Sequence, residues 1–197
     1  MTACTTSIAT KELEVRYGKT VAVTDVNLDI PAGSLLSVIG PNGAGKSALL
    51  KALAGAIEIH SGDIDIPGPP PSFVMQSTEV DPSLPISVKD VVSLARYSNR
   101  GPFKRFRKKD RDAVDEAIER LNLKDLAKRQ LHELSGGQRQ RVLVAQGLAQ
   151  DSNVLLLDEP INGLDLVSRE IILEMITEEV KACLLYTSDA ADEKRWG

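Results

Sequence analysis

Aromatic residues make up only 4% of this 197-residue chain, too few for the stacking platforms of a single-strand nucleic-acid binder. Cysteine occurs twice, as Cys4 and Cys183, near opposite ends and without ligand spacing. That pattern offers neither a disulfide framework nor a zinc site, and it fits a reducing compartment. No run of about 18 apolar residues occurs, so no membrane-spanning helix is expected. The opening MTACTTSIATKELEV lacks a basic start and an apolar stretch, so it does not read as a signal peptide. A net charge of −4 does not point to nucleic acid as a partner. What is present is an ordinary 42% apolar content, on a length suited to one domain with a sizeable core. These bulk properties predict a soluble, cytoplasmic α/β domain.

Patterning refines this. Leu13–Arg16, Val21–Val23 and Asn27–Ile30 read as short strands broken at Gly18 and Pro31–Gly33. Leu35–Ile39 is a continuous apolar run ending in glycine, the pattern of a strand buried on both faces. Ser47–Ala56 has helical spacing at Leu49, Leu50, Leu53 and Ala54. Gly62–Ile66 alternates like an edge strand, and the proline-rich loop Pro67–Pro71 separates it from Phe73–Met75. Ser87 and Asp90 form a capping-box pattern opening a helix to about Ala95. Further helices are predicted at about Asp110–Leu121, Gly136–Ala149 and Val167–Val180, with a second buried strand at Asn153–Leu157. Alternation of strands and helices indicates a mainly parallel sheet. The helix-rich stretch from about Glu79 to Leu131 reads as an insertion between strands.

Between the first buried strand and its helix lies GPNGAGKS, Gly40, Pro41, Asn42, Gly43, Ala44, Gly45, Lys46 and Ser47. It fits G-x-x-x-x-G-K-[ST] in the strand–loop–helix context that motif requires. Glycines let successive N–H groups turn toward phosphate oxygens, and the helix N-terminus adds favourable potential. Lys46 is expected on the β- and γ-phosphates, and Ser47 on Mg²⁺. LLLDEP places Asp158 and Glu159 at the carboxyl end of the second buried strand, where α/β sheets present ligand groups. Asp158 suits a role on Mg²⁺, and Glu159 suits orienting or deprotonating the attacking water.

Leu134–Gln138 reads LSGGQ, a serine and two glycines opening a helix, about 20 residues before the strand that ends in Asp158 and Glu159. Here the chain resembles the ABC transporter ATPases, over roughly Leu13 to Ala182. The resemblance implies a phosphate-loop NTPase (RecA-like) α/β core, with an N-terminal antiparallel β subdomain and an inserted α-helical subdomain at about 79–145. It also implies binding and hydrolysis of ATP with Mg²⁺. By the same resemblance Tyr17 stacks on adenine and Gln76 is the glutamine that touches Mg²⁺, with a part in catalysis. Asp165, in NGLD, lies at a dimer interface. Ser135, Gly136, Gly137 and Gln138 act in trans, on the ATP held by a second cassette. Ala48 departs from the pattern, standing where the family has Thr or Ser with a hydroxyl for the α-phosphate. One such hydrogen bond is worth about 1.5–3 kcal/mol, which predicts weakened nucleotide affinity.

STEVD at Ser77–Asp81, Leu84-Pro85, SVKDVV, an Arg-Tyr pair and the basic GPFKRFRKKDR stretch resemble the branch that takes up manganese, zinc or iron. The resemblance then implies a membrane permease and an extracytoplasmic substrate-binding protein, with the chain on the cytoplasmic face of the membrane and no nucleic-acid partner. His60 and His132 read as surface or packing residues. The family continues past its last helix into a strand ending in a histidine that contacts the γ-phosphate, but no histidine follows His132. CLLYTSDAADE, Cys183–Glu193, resembles a translated sequencing adapter, so the cassette is expected over 1–182, C-terminally truncated, with a non-native tail at 183–197. Leu184–Thr187 is apolar enough to fill the missing strand, which puts Ser188 near the histidine's position. ATP binding with poor hydrolysis is the expectation. The alternative is a soluble ABC ATPase of repair or translation. Repair members carry long coiled coils where this chain has about 90 residues without sustained heptads, and translation members carry two cassettes.

Overall fold

The computed structural model describes residues 7–75, 83, 85–97 and 106–179, and the backbone of 184–189. It forms two compact units, one of residues 1–73, 152–159 and 178–197, the other of 74–151 and 160–177.

The first unit opens with a hairpin, β1 (Ile8–Tyr17) and β2 (Thr20–Ile30), turning at Gly18 with φ 61°. β4 (Ser61–Asp65) pairs on the other side of β1, giving an antiparallel sheet in the order β2–β1–β4. The three short segments expected in this region are thus two long strands, continuous through irregular pairing. Glu12 and Asp25 take left-handed backbone there, and the Asn27 side chain accepts the Glu12 N–H at 2.9 Å. A side-chain amide replaces a lost ladder bond where the pairing shifts, and the strand continues through it.

The second sheet has the order β3–β7–β6–β5, from β3 (Leu35–Gly40), β7 (Leu184–Asp189), β6 (Leu155–Leu157) and β5 (Ser72–Val74). β7 runs parallel to both neighbours, with Leu184 opposite Leu35 and Leu155. The central place is therefore taken by the segment whose apolar start suggested it. β6 is fully buried, as its Leu-Leu-Leu run predicts. β3 is not. Leu36 and Val38 pack on the core, while Leu35 and Ile39 remain 39% and 45% exposed. The expectation of burial on both faces fails because β3 lies at the sheet edge and the strand's period of two sends Leu35 and Ile39 away from the core.

α1 (Lys46–Leu53) supplies Leu49, Leu50 and Leu53 to that core, alongside Ile8, Leu13, Val15 and Ile30 of the first sheet and Leu156 of β6. Each such side chain, fully buried, contributes about 1.5–3 kcal/mol. The helix ends at Gly55, whose φ of 67° favours glycine.

The second unit packs α2 (Val88–Leu94), α3 (Lys108–Arg120) and α4 (Gly136–Ala149) against one another. The Ser87–Asp90 capping box is present, and Ser135 caps α4 with Gln138 in the same way. Arg96, 8% exposed, donates from Nε and Nη2 to Asp110 Oδ1 at 3.2 and 2.9 Å, and from Nη1 to the Ala149 carbonyl at 2.9 Å. α5 (Leu166–Glu179) buries Ile172, Met175 and Ile176. No helix among the described residues is long and apolar enough to cross a membrane.

Candidate nucleotide-binding site

The phosphate loop lies where the sequence predicts it, between β3 and α1. Gly40 ends the strand, Pro41, Asn42, Gly43 and Ala44 form the exposed turn, and the Ala44 N–H bonds the Pro41 carbonyl at 3.1 Å. Gly43 and Gly45 have φ of 82° and 89°, a region that strains any L side chain. Gly45 is doubly constrained, because a Cβ there would collide with the Ala22 carbonyl oxygen. The loop is thus braced on β2. Gly45 is the N-cap of α1 and no side chain caps the helix, an arrangement in which the helix N-terminus favours an anion.

Lys46 is buried and donates from Nζ to the Gly40 and Pro41 carbonyls at 2.7 and 3.2 Å, holding its charge over the loop. Ser47 Oγ donates to Asp158 Oδ1 at 2.9 Å. Asp158 is buried, directly after β6, and Glu159 follows it half-buried with φ 49°. A non-glycine residue held in left-handed backbone stores strain of about 1–3 kcal/mol, and such strain collects at functional turns. The sequence places the two acids, but nothing in it announces this conformation. The Ser47 hydroxyl and the Asp158 carboxylate are hard oxygen donors already in contact, a set that suits Mg²⁺.

Tyr17 ends β1 beside the Gly18 turn, 51% exposed, so its ring is available to a planar ligand. Ala48 is buried within the hydrophobic core. Gln76 lies outside the described residues, as do residues 77–81, 84 and 98–105 and both cysteines. β7 places Ser188 opposite Ile39 and Asp189 opposite Gly40, the strand end from which the phosphate loop departs.

In the second unit, Ser135 and Gly136 are exposed, Gln138 is half-buried and Gly137 is buried. The Gln138 N–H donates to Ser135 Oγ at 3.2 Å, and the Ser135 N–H donates to Gln138 Oε1 at 3.0 Å. A Cβ on Gly137 would collide with Asp165 Oδ2 and Ser168 Oγ. Asp165 Oδ1 in turn accepts the Ser168 N–H at 2.9 Å, capping α5. The Ser168 N–H and then its hydroxyl, with a smaller contribution from the Arg141 charge, hold the Asp165 carboxyl below the usual carboxylate value. Burial lowers the Arg141 guanidinium, an effect Asp165 opposes. Sequence reasoning names Asp165 but misses Ser168 and Arg141. Arg141 could have been found, since it follows Gly137 by four residues and shares its helix face. His60 is exposed and His132 half-buried, and no cluster of metal ligands occurs among the described residues.

A strand–loop–helix anion cradle beside a serine–aspartate oxygen pair, on a parallel sheet, defines a phosphate-loop nucleotide-binding domain. Residues 23–162 match the ABC transporter family. The chain belongs to that family and is an ABC-type ATPase. It is 39% identical over 171 residues to the manganese transport system ATP-binding protein MntB of Listeria innocua, covering 83% of this chain and 71% of the relative. The zinc transport system ATP-binding protein TroB of Treponema pallidum is 36% identical over 177 residues, covering 86% and 66%. Among solved structures, a metal-chelate type ABC transporter in an inward-facing conformation superposes with TM-score 0.81 at 32% identity, covering 93% of this chain and 73% of that one. A bacterial ABC transporter cassette solved as a dimer shares the fold with TM-score 0.80 at 24% identity, over 96% of this chain and 91% of that one.

Proposed function

We propose that this chain is the ATP-binding subunit of an importer of metal ions, acting on the cytoplasmic face of the membrane. Its partners are a second cassette, a multi-span permease and an extracytoplasmic substrate-binding protein. The observation that carries the reading is the Ser47–Asp158 contact at the mouth of an uncapped phosphate-loop helix. In this reading the loop amides and Lys46 bind the triphosphate, Ser47, Asp158 and Gln76 hold Mg²⁺, and Tyr17 carries the adenine. Glu159 orients the attacking water. Ser135, Gly136, Gly137, Gln138 and Asp165 serve the nucleotide of the second chain. Mg²⁺, when bound, neutralises phosphate charge as the terminal bond breaks. Metal ions as cargo follow from the resemblance to subunits whose names specify manganese and zinc transport.

Turnover is the weak step of this chain as written. The residues from Cys183 onward, which resemble translated adapter, supply a strand but no imidazole, and Ser188 occupies the register position next to the start of the phosphate loop. The purified chain is expected to bind Mg-ATP and hydrolyse it slowly. Ser188→His is expected to raise hydrolysis about a hundredfold, the scale of one transition-state donor, without changing ATP affinity. Rapid hydrolysis by the parent chain, or a Ser188→His variant no faster than the parent, refutes this account of turnover. Failure to bind Mg-ATP refutes the whole reading. Co-purification of a multi-span membrane protein separates a transporter subunit from a soluble repair or translation ATPase.

A further inference from the structure

The two glycines that open α4 have different surroundings. Neither has left-handed backbone, so local conformation requires neither of them. A glycine within a helix is destabilising relative to alanine, and the reason for one must lie in what surrounds it. Gly136 is exposed, and a Cβ there would meet nothing within 4 Å beyond its chain neighbours. Gly137 is buried. A Cβ there would collide with Asp165 Oδ2 and lie 2.5 Å from Ser168 Oγ and 2.9 Å from Ser168 Cβ. Asp165 is tied to α5 twice, because its Oδ1 accepts the Ser168 N–H at 2.9 Å and its carbonyl accepts the Arg169 N–H at 3.0 Å. From Asp165 to Ser168 only Ser168 is buried, and its side chain lies against Gly137. One carboxylate therefore caps α5 with Oδ1 and rests on α4 with Oδ2.

We propose that Gly137 is a positioning residue whose bare Cα seats the Asp165 turn, so that Asp165 and the exposed Ser135 and Gly136 reach the second chain's nucleotide at a fixed spacing. This rests on the reading that these segments act in trans. A methyl group on Gly137 has two effects, and they separate. It presses on Ser168 Cβ, which is fixed to the α5 backbone and yields only if the helix start shifts. It also displaces Asp165 Oδ2, the end of an exposed side chain that yields by turning away. Turning takes Oδ1 off the Ser168 N–H, and the carboxylate loses its direction. The first effect costs packing and the second costs aim. Removing the Ser168 side chain relieves the first and leaves the second.

The test compares the full chain with Gly136→Ala, Gly137→Ala, Ser168→Gly and the double variant Gly137→Ala/Ser168→Gly. Amide exchange and urea unfolding are followed without nucleotide; Mg-ATP is then the probe for affinity at low protein concentration and for self-association by sedimentation. Gly137→Ala is expected to accelerate exchange of the Ser168 and Arg169 amides, whereas Gly136→Ala leaves them as in the parent. Gly137→Ala should hold ATP affinity within about twofold and weaken self-association about tenfold, the scale of one charge-assisted hydrogen bond. The double variant should unfold at the urea midpoint of Ser168→Gly alone, yet associate as poorly as Gly137→Ala. That split keeps the test decisive even where Gly137→Ala alone folds badly. Unchanged exchange at Ser168 and Arg169 in Gly137→Ala would overturn the role, as would recovery of self-association along with stability in the double variant. A parent chain that does not associate with Mg-ATP overturns the trans reading and this role together. A parent that associates, with Gly137→Ala associating equally well, overturns this role alone.

Discussion

Asp110 is 1% exposed, and its partners include two Arg96 donors on Oδ1 and the Arg107 N–H on Oδ2 at 2.8 Å. Replacing it with alanine removes the counter-charge of a guanidinium that cannot reach bulk water. The other carboxylate nearby, on Asp151, lies 3.8 Å from Arg96 and is exposed, so solvent screens it. Breaking one side of a buried pair costs about 3–5 kcal/mol, and losing the acceptor at the start of α3 adds about 1 kcal/mol. Against a usual total of about 5–15 kcal/mol this is severe, and at this length it corresponds to a fall in melting temperature of about 10 °C or more. The assay is urea unfolding followed by helical circular dichroism, with amide exchange in α3 and α4 to localise the loss. Arg96→Met with Asp110→Leu should recover most of it, because apolar packing removes the orphaned charge along with its partner. A loss under about 1 kcal/mol for Asp110→Ala, or a double variant as poor as the single, would refute the reasoning.

Three further outcomes are expected. Glu159→Gln, made in the Ser188→His background, should lower hydrolysis about 10²–10⁴-fold while ATP affinity holds, as measured by phosphate release and nucleotide binding. Ala48→Thr should tighten ATP binding about tenfold by restoring a hydroxyl after Ser47, and unchanged affinity would show that position to be misread. Asp165 titrates below the usual carboxylate value, so its contribution to stability is fully present above the unfolded value and is lost as pH falls through the folded one. The melting temperatures of the parent and Asp165→Asn should therefore differ at neutral pH and begin to converge only as pH falls below about 4, the ordinary aspartate range.

Much of this was legible because local chemistry and fold agree. The phosphate loop, the Asp158–Glu159 turn and the Ser135 helix start each have a physical reason to carry their residue types, and each lies where its pattern predicted. α4 begins and ends at the predicted residues, and one capping box sets its start. What escaped was set by partners distant in sequence. β1 and β2 are longer than the predicted segments, and Asn27 satisfies Glu12 from the other strand where their pairing shifts. Leu35 and Ile39 are exposed because β3 is an edge strand, a fact of sheet order that an apolar run cannot reveal. The close approach of Asp165 to Gly137 joins two helices whose starts lie about 30 residues apart in sequence, beyond the reach of periodicity.

β7 separates two demands that this fold makes on one strand. A parallel sheet needs a hydrogen-bonding backbone between β3 and β6, because an unpaired buried N–H or C=O costs about 1–3 kcal/mol. Any apolar extended segment can meet that demand, and Leu184–Asp189 does so along the whole of β3. Hydrolysis, in the proposed function, asks for something the backbone cannot provide, a side chain at the strand's far end that favours the transition state over bound ATP. Ser188 has the register for that task without an imidazole's second nitrogen or its capacity for positive charge. Under the proposed function, the chain completes its sheet and phosphate loop, and slow turnover is the outcome expected of it. Sheet completion is judged by stability and ATP affinity, turnover by phosphate release. Ser188→His should move only the second, because it changes one side chain and leaves every β3–β7 backbone pairing in place.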